Sequence, residues 1–173
     1  MLTETEDDEI DILELDFALK AVNFDLISDS ELSYVNSVLE IAGRHKLNFR
    51  FFCLIAALSE KVVALDDMVK RLINKMDFEA LEVKLKKCKE LFYLLADSEH
   101  ERVEQGGVVT VSSLAVELQA GGLTQEHVEY VCDHMNHEDR GLVEFLDYLT
   151  YVPLFVEIHD NIYDNPLDFT RTK

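Results

Sequence analysis

The sequence predicts an all-α protein built as two lobes of paired helix–loop–helix units joined by a linking helix. Three observations predict it. Two stretches match without a gap at a constant offset of 96: Ile27-Ser28 falls on Leu123-Thr124, Leu32 on Val128, Tyr34-Val35 on Tyr130-Val131, Arg44 on Arg140, Leu47 on Val143, and Phe49 on Phe145. Self-similarity at a fixed spacing is the mark of a duplicated structural unit. Within each copy a helix-start signal, an apolar stripe, a polar break and an apolar exit run follow one another. Finally, 173 residues with 48% apolar content and only two prolines leave room for long helices around a sizeable core.

Each element has its own sequence signal. Residues 1–9 are acidic, polar and expected to be loose. Ile10–Val22 reads as a short strand running into a helix. Ser28-Asp29-Ser30-Glu31 is a capping box, in which Ser28 and Glu31 satisfy each other's free amides. The helix it opens carries Leu32, Val35, Val38 and Leu39 on one face. Gly43-Arg44-His45-Lys46 breaks it, and Leu47–Phe52 leads into an apolar helix through Leu58. The first lobe is placed at residues 10–61 and a linking helix at 62–77. Asp77 is the expected N-cap of a long helix whose stripe is Phe78, Leu81, Leu85, Cys88, Leu91, Phe92 and Leu95. Residues 97–107 read as a polar loop, Val108–Val111 as a β-branched strand, and Ser112–Ala120 as a helix stopped by Gly121-Gly122. The repeat's second copy follows, and Tyr151–His159 has helical spacing after Pro153, expected to pack on its own lobe. The second lobe is thus placed at 78–159, with a polar tail at 160–173.

The most informative stretch is Asn136–Asp147. It has an oxygen side chain at its first position, Gly141 at the sixth for a sharp turn, Val143 at the eighth and the Asp147 carboxylate at the twelfth. With the repeat, it resembles the EF-hand of the calmodulin superfamily over residues from about 10 to about 158. The pattern departs from that family's loops: Arg140 stands at position five, Glu138 at three, and Asp147 rather than Glu at twelve. The resemblance implies two lobes of paired hands joined through short strands, with the first hand lacking its entering helix. It also implies recognition of amphipathic helices.

The loops differ in what they offer a cation. The one beginning at Glu40 has Ala42 at position three, Arg44 at five and Phe51 at twelve, so it is read as unable to hold a metal. An extended third loop offers Asp97, Glu99, Glu101 and Glu104, but Ser113 stands at the chelating place. In the fourth loop Asn136, Glu138, the backbone of Leu142 and Asp147 form a candidate site for weak Ca²⁺ or Mg²⁺ binding. A single carboxylate oxygen from Asp147 suits octahedral Mg²⁺ better than Ca²⁺. Cys132, Asp133, His134 and His137 are metal-ligand types in close sequence that could suit zinc, but His134 is read as a core-edge histidine.

Composition excludes several classes. A formal net charge of −19 disfavours nucleic acid and anionic membrane surfaces, which are held by Lys and Arg. Seven basic residues between Lys70 and Lys89, against three acidic ones, form the one basic stretch. Cys53, Cys88 and Cys132 read as reduced intracellular thiols. No run is long enough to span a membrane and the acidic start is unlike a signal peptide. No phosphate loop or activated nucleophile is recognisable, so no enzyme is expected. The expected function is a cytoplasmic, largely calcium-independent adaptor binding a basic or amphipathic helix. Two alternatives remain open: a Ca²⁺- or Mg²⁺-modulated regulatory subunit, and a structural component of a cilium or flagellum. The second rests on Asn48-Phe49-Arg50-Phe51 and Ala56-Ala57-Leu58-Ser59, which resemble calcium-poor EF-hand modules of ciliary proteins.

Overall fold

The computed structural model describes residues 9–99, 108–136 and 140–164, without the side chains of 97–99 and 161–164. The chain divides into two units, Met1–Glu79 and Ala80–Lys173. The described residues are mostly helical, with two small antiparallel strand pairs. No helix among them is long and apolar enough to cross a membrane.

In the first unit, strand β1 (Glu9–Asp11) leads into α1 (Ile12–Val22), and α2 (Asp29–Val38) leads through β2 (Lys46–Asn48) into α3 (Phe49–Val63). Each helix starts where a side chain can accept a free backbone amide. Asp11 takes the Leu13 amide at 3.0 Å, Asn48 takes that of Phe51 at 2.8 Å, and Ser28 and Glu31 complete the expected capping box. β1 and β2 pair with Ile10 opposite Leu47. Leu15, Leu19, Leu32, Val35, Val38, Leu47, Ile55, Leu58 and Val62 are buried, so helical and strand periods converge on one core. A polar stitch crosses it: the buried Asn23 amide donates to Leu19 O and Ser59 Oγ, both at 2.8 Å, and Ser59 Oγ donates to Ala56 O at 2.7 Å.

The helix expected over 62–77 is corrected. α3 runs to Val63, the chain turns at Ala64–Asp66, and Asp66 caps a separate helix α4 (Asp67–Lys75) through the Val69 amide at 3.0 Å. α4 packs on α2, burying Val69 and Ile73, and Lys70 pairs with the buried carboxylate of Glu31 at 3.4 Å. These residues therefore belong to the first unit's core. Residues at i and i+4 supply one buried face, and a helix with such a face packs wherever a facing apolar stripe exists.

The second unit takes in all but the first two residues of α5 (Phe78–Glu99), then β3 (Val108–Thr110), α6 (Val111–Ala120), α7 (Gln125–Met135), β4 (Leu142–Glu144), α8 (Phe145–Thr150) and α9 (Val152–Asp164). Asp77 caps α5 by accepting the Glu79 amide at 3.0 Å, as expected. α5 continues to Glu99, so the polar loop begins later than residue 97, and residues 100–107 lie outside the described ones. The expected C-terminal helix is present and packs on its own unit, but it runs to Asp164 rather than ending at 159. Phe155 meets Tyr148 with ring centroids 4.9 Å apart, and Lys84 pairs with Asp160 at 2.6 Å.

The two units repeat each other locally. Ile12 N donates to His45 O in one, and Val111 N to Gly141 O in the other, each tying a helix start to its partner strand. Leu15 and Leu19 match Leu114 and Leu118, all buried, at an offset of 99. The offset falls to 96 by Leu32 and Val128, so the first unit carries three more residues at the corner between.

Candidate functional site

The loop Asn136–Asp147 is closed by its own chemistry. Asn136 ends α7, where its amide donates to Cys132 O at 2.9 Å, and its Oδ1 accepts the Gly141 amide at 2.7 Å. Gly141 has a φ of 71, the left-handed region that glycine enters without steric cost. First and sixth positions are thereby locked together. Leu142 lies in β4 opposite Thr110, and the neighbouring Val143 is buried against the core. Asp147 sits in the first turn of α8 and is 8% exposed. Glu138 lies outside the described residues, as do His137 and Asp139. The described ligand candidates are thus one amide oxygen with a lone pair to spare, one backbone carbonyl and one carboxylate. A hard ion such as Ca²⁺ takes six to eight oxygens. Among the described residues no three His, Cys, Asp or Glu side chains gather where they could hold a metal.

The loop beginning at Glu40 turns differently, with left-handed residues at its first and fourth positions and His45 rather than glycine at its sixth. Glu40 and Gly43 have φ of 52 and 87, and Ile41 N donates to Asn36 O at 3.0 Å. Arg44 and Phe51, at positions five and twelve, meet each other: the guanidinium carbon lies 4.7 Å from the ring centroid. A guanidinium thus faces an aromatic ring across β2.

The remaining candidates fall in different places. Asp97 and Glu99 are in the last turns of α5, and Glu101 and Glu104 lie outside the described residues. Ser113 is engaged at the start of α6, where its amide donates to Thr110 Oγ1 at 3.3 Å and its hydroxyl lies 3.1 Å from the same atom. The expectation that His134 lines the core edge is corrected. It is exposed, its Nδ1 is 2.7 Å from Tyr130 O, and its ring lies against Tyr130 at 4.1 Å. Cys132 is buried and its thiol is pushed up by desolvation and then by Asp133.

Sequence reasoning missed a buried polar seam in the second unit. Tyr148 OH donates to Cys88 O at 2.9 Å, and Cys88 Sγ lies 3.9 Å from His159 Nδ1. Burial pushes the Cys88 thiol up to about 12, and burial also raises the Tyr148 phenol. Neither group is an available nucleophile at neutral pH, since thiolate is the reactive form. The signal that could have found the seam is that Tyr148 replaces Phe52 of the other copy, adding a hydroxyl that burial obliges to find a partner. Sequence reasoning also missed the exposure of Leu13 and Phe17 on α1. Their spacing of four, opposite Leu15 and Leu19, was readable as a second apolar side.

Compared with known proteins, the chain matches no family model, no curated protein and no solved structure.

Proposed function

We propose that this protein is a non-catalytic interaction module of EF-hand type that holds a helical segment of a larger assembly, largely without calcium. The observation that carries this reading is the contact of Arg44 with Phe51. The loop containing them keeps its paired strand and its flanking capped helices, while a cation and an aromatic ring occupy positions a metal would need. A loop that packs well while offering few ligands fits a module whose task is to present surfaces, and paired helical units of this kind take amphipathic helices as ligands. The reading is tested with a labelled amphipathic helical peptide titrated into the protein in EDTA and again in millimolar Ca²⁺. Equal affinities are expected. A gain of about tenfold or more with Ca²⁺, equivalent to about 1.4 kcal/mol, contradicts it.

A second reading, regulation by Ca²⁺ or Mg²⁺ through Asn136, Glu138, Leu142 and Asp147, is favoured by one feature. Asn136 already closes the loop on Gly141, so its oxygen is pre-placed. Calorimetric titration of either ion, with Asp147→Asn as the control, separates the two. Heat abolished by that substitution supports regulation, and silence at millimolar ion removes it.

A further inference from the structure

Helix α1 is apolar on two opposite sides. Leu15 and Leu19 fill the first unit's core, while Leu13 and Phe17 point the other way and are 86% and 80% exposed. The turn that follows adds Phe24 at 85% and Leu26 at 69% exposure. A helix that is hydrophobic around its circumference is normally buried around it, and exposed apolar side chains gathered on one element mark an interaction surface.

The chain leaves α1 through a left-handed corner, where Asp25 N donates to Lys20 O at 2.8 Å. Phe24 and Asp25 are consecutive non-glycine residues with φ of 53 and 59, a conformation that costs free energy and persists where the surrounding structure imposes it. The second unit turns the corresponding corner at Gly121-Gly122 and has Ser112 where α1 has Leu13. The three additional residues and Leu13 are therefore specific to the first unit, whereas Phe17 has an exposed apolar counterpart on α6 in Val116, 62% exposed.

Charge identifies the occupant. Glu14, Asp16 and Asp25 are exposed beside these side chains, and the one basic residue of α1, Lys20, is held by Asp29 at 3.0 Å. A ligand for this face has to bring apolar side chains and positive charge together.

We propose that Leu13, Phe17, Phe24 and Leu26 form a docking strip for a basic amphipathic helix of a partner protein. Its apolar side covers the strip and its Lys or Arg residues face Glu14, Asp16 and Asp25. This rests on the interaction-module reading and specifies the face and the partner's charge.

The probe is a labelled helical peptide of Leu and Lys at amphipathic spacing, titrated into the full chain by fluorescence anisotropy. Leu13→Ser with Phe17→Ser, both on exposed positions, is expected to weaken binding at least about tenfold, a usual effect of removing interface anchors. Val83→Ser with Leu94→Ser, which removes exposed apolar side chains of α5, is expected to leave it unchanged. Glu14→Gln with Asp25→Asn is expected to flatten the salt dependence. Unchanged binding by the Leu13/Phe17 variant, with the wild type still binding, overturns the strip while leaving the interaction-module reading intact. Equal loss in the α5 control overturns it as non-specific adhesion. Dissociation of a wild-type oligomer into monomers by the Leu13/Phe17 variant, seen in sedimentation, overturns it in favour of a second copy. Absence of wild-type binding contradicts both readings.

Discussion

The guanidinium of Arg44 lies 4.7 Å from the centroid of the Phe51 ring. The two residues stand seven positions apart, Arg44 just before β2 and Phe51 in the first turn of α3, and their contact bridges the strand between them. A cation over an aromatic face at an exposed site is worth about 0.5–1 kcal/mol. Its role is to hold closed a loop that has no described metal ligands to do so.

Arg44→Ala is therefore expected to destabilise the protein by about 0.5–1 kcal/mol, measured by urea denaturation. A loss well above that range would mean that the side chain does more than cap the ring.

Lys70 fixes α4 to α2 through Glu31, whose carboxylate is buried and also accepts the Ser28 amide at 2.7 Å. Removing the cation leaves a buried charge with one fewer partner, which is costly, although Lys70 is itself partly exposed and screened. Lys70→Met is expected to cost about 1–2 kcal/mol and to speed hydrogen exchange in α4 ahead of the rest of its unit. Unaltered exchange in α4 would show that Val69 and Ile73 alone seat the helix.

Gly121 is required for space rather than for backbone conformation. It is buried with an ordinary helical φ of −74, and a Cβ there would come 1.9 Å from Cγ2 of Ile158. Gly121→Ala is expected to cost about 1–3 kcal/mol through overpacking, and the double variant with Ile158→Ala, which alone leaves a cavity, is expected to lose less than the sum of the two single losses. Additive losses in the double variant would contradict a direct contact.

The Cys88 thiol predicts an alkaline limit. In the folded protein burial holds its proton to about 12, whereas the unfolded chain releases it near the ordinary value of 9.0. Between these values the unfolded state binds fewer protons, so stability falls as pH rises through 9 and stops falling on this account near 12. The raised Tyr148 phenol adds loss in the same direction above its ordinary 10.0. Cys88→Ala is expected to flatten the decline between pH 9 and 10, followed by chemical denaturation. At neutral pH Cys53, which is exposed, should react with a thiol reagent well before Cys88.

Local signals in the sequence carried most of the architecture. Ser28, Asp77 and the β-branched run at Val108 each act within a few residues of themselves, and each produces the expected cap or strand. Burial periodicity likewise identified Val35 and Val131 as equivalent core positions. What was not legible depends on distant partners. The break at Ala64–Asp66 has no proline or glycine to announce it, and α4 is separate because α2 offers it a face. His134 matches the buried Val38 in the repeat but is exposed, because α7 runs to Met135 and puts that residue inward instead. Of the candidate cation loop, the turn at Gly141 was readable from sequence, whereas the engagement of Asn136 with it required coordinates.

The central claim, a module that folds and works without its ion chemistry, is tested most directly by thermal unfolding of the purified chain in EDTA, in millimolar Mg²⁺ and in millimolar Ca²⁺. An ion that binds the folded state alone raises its stability according to how far its concentration exceeds its dissociation constant. Superimposable melts are the predicted result. A melting temperature raised by Ca²⁺ more than by Mg²⁺, and returned to the EDTA value by Asp147→Asn, would contradict the claim and make Asn136–Asp147 a working calcium loop.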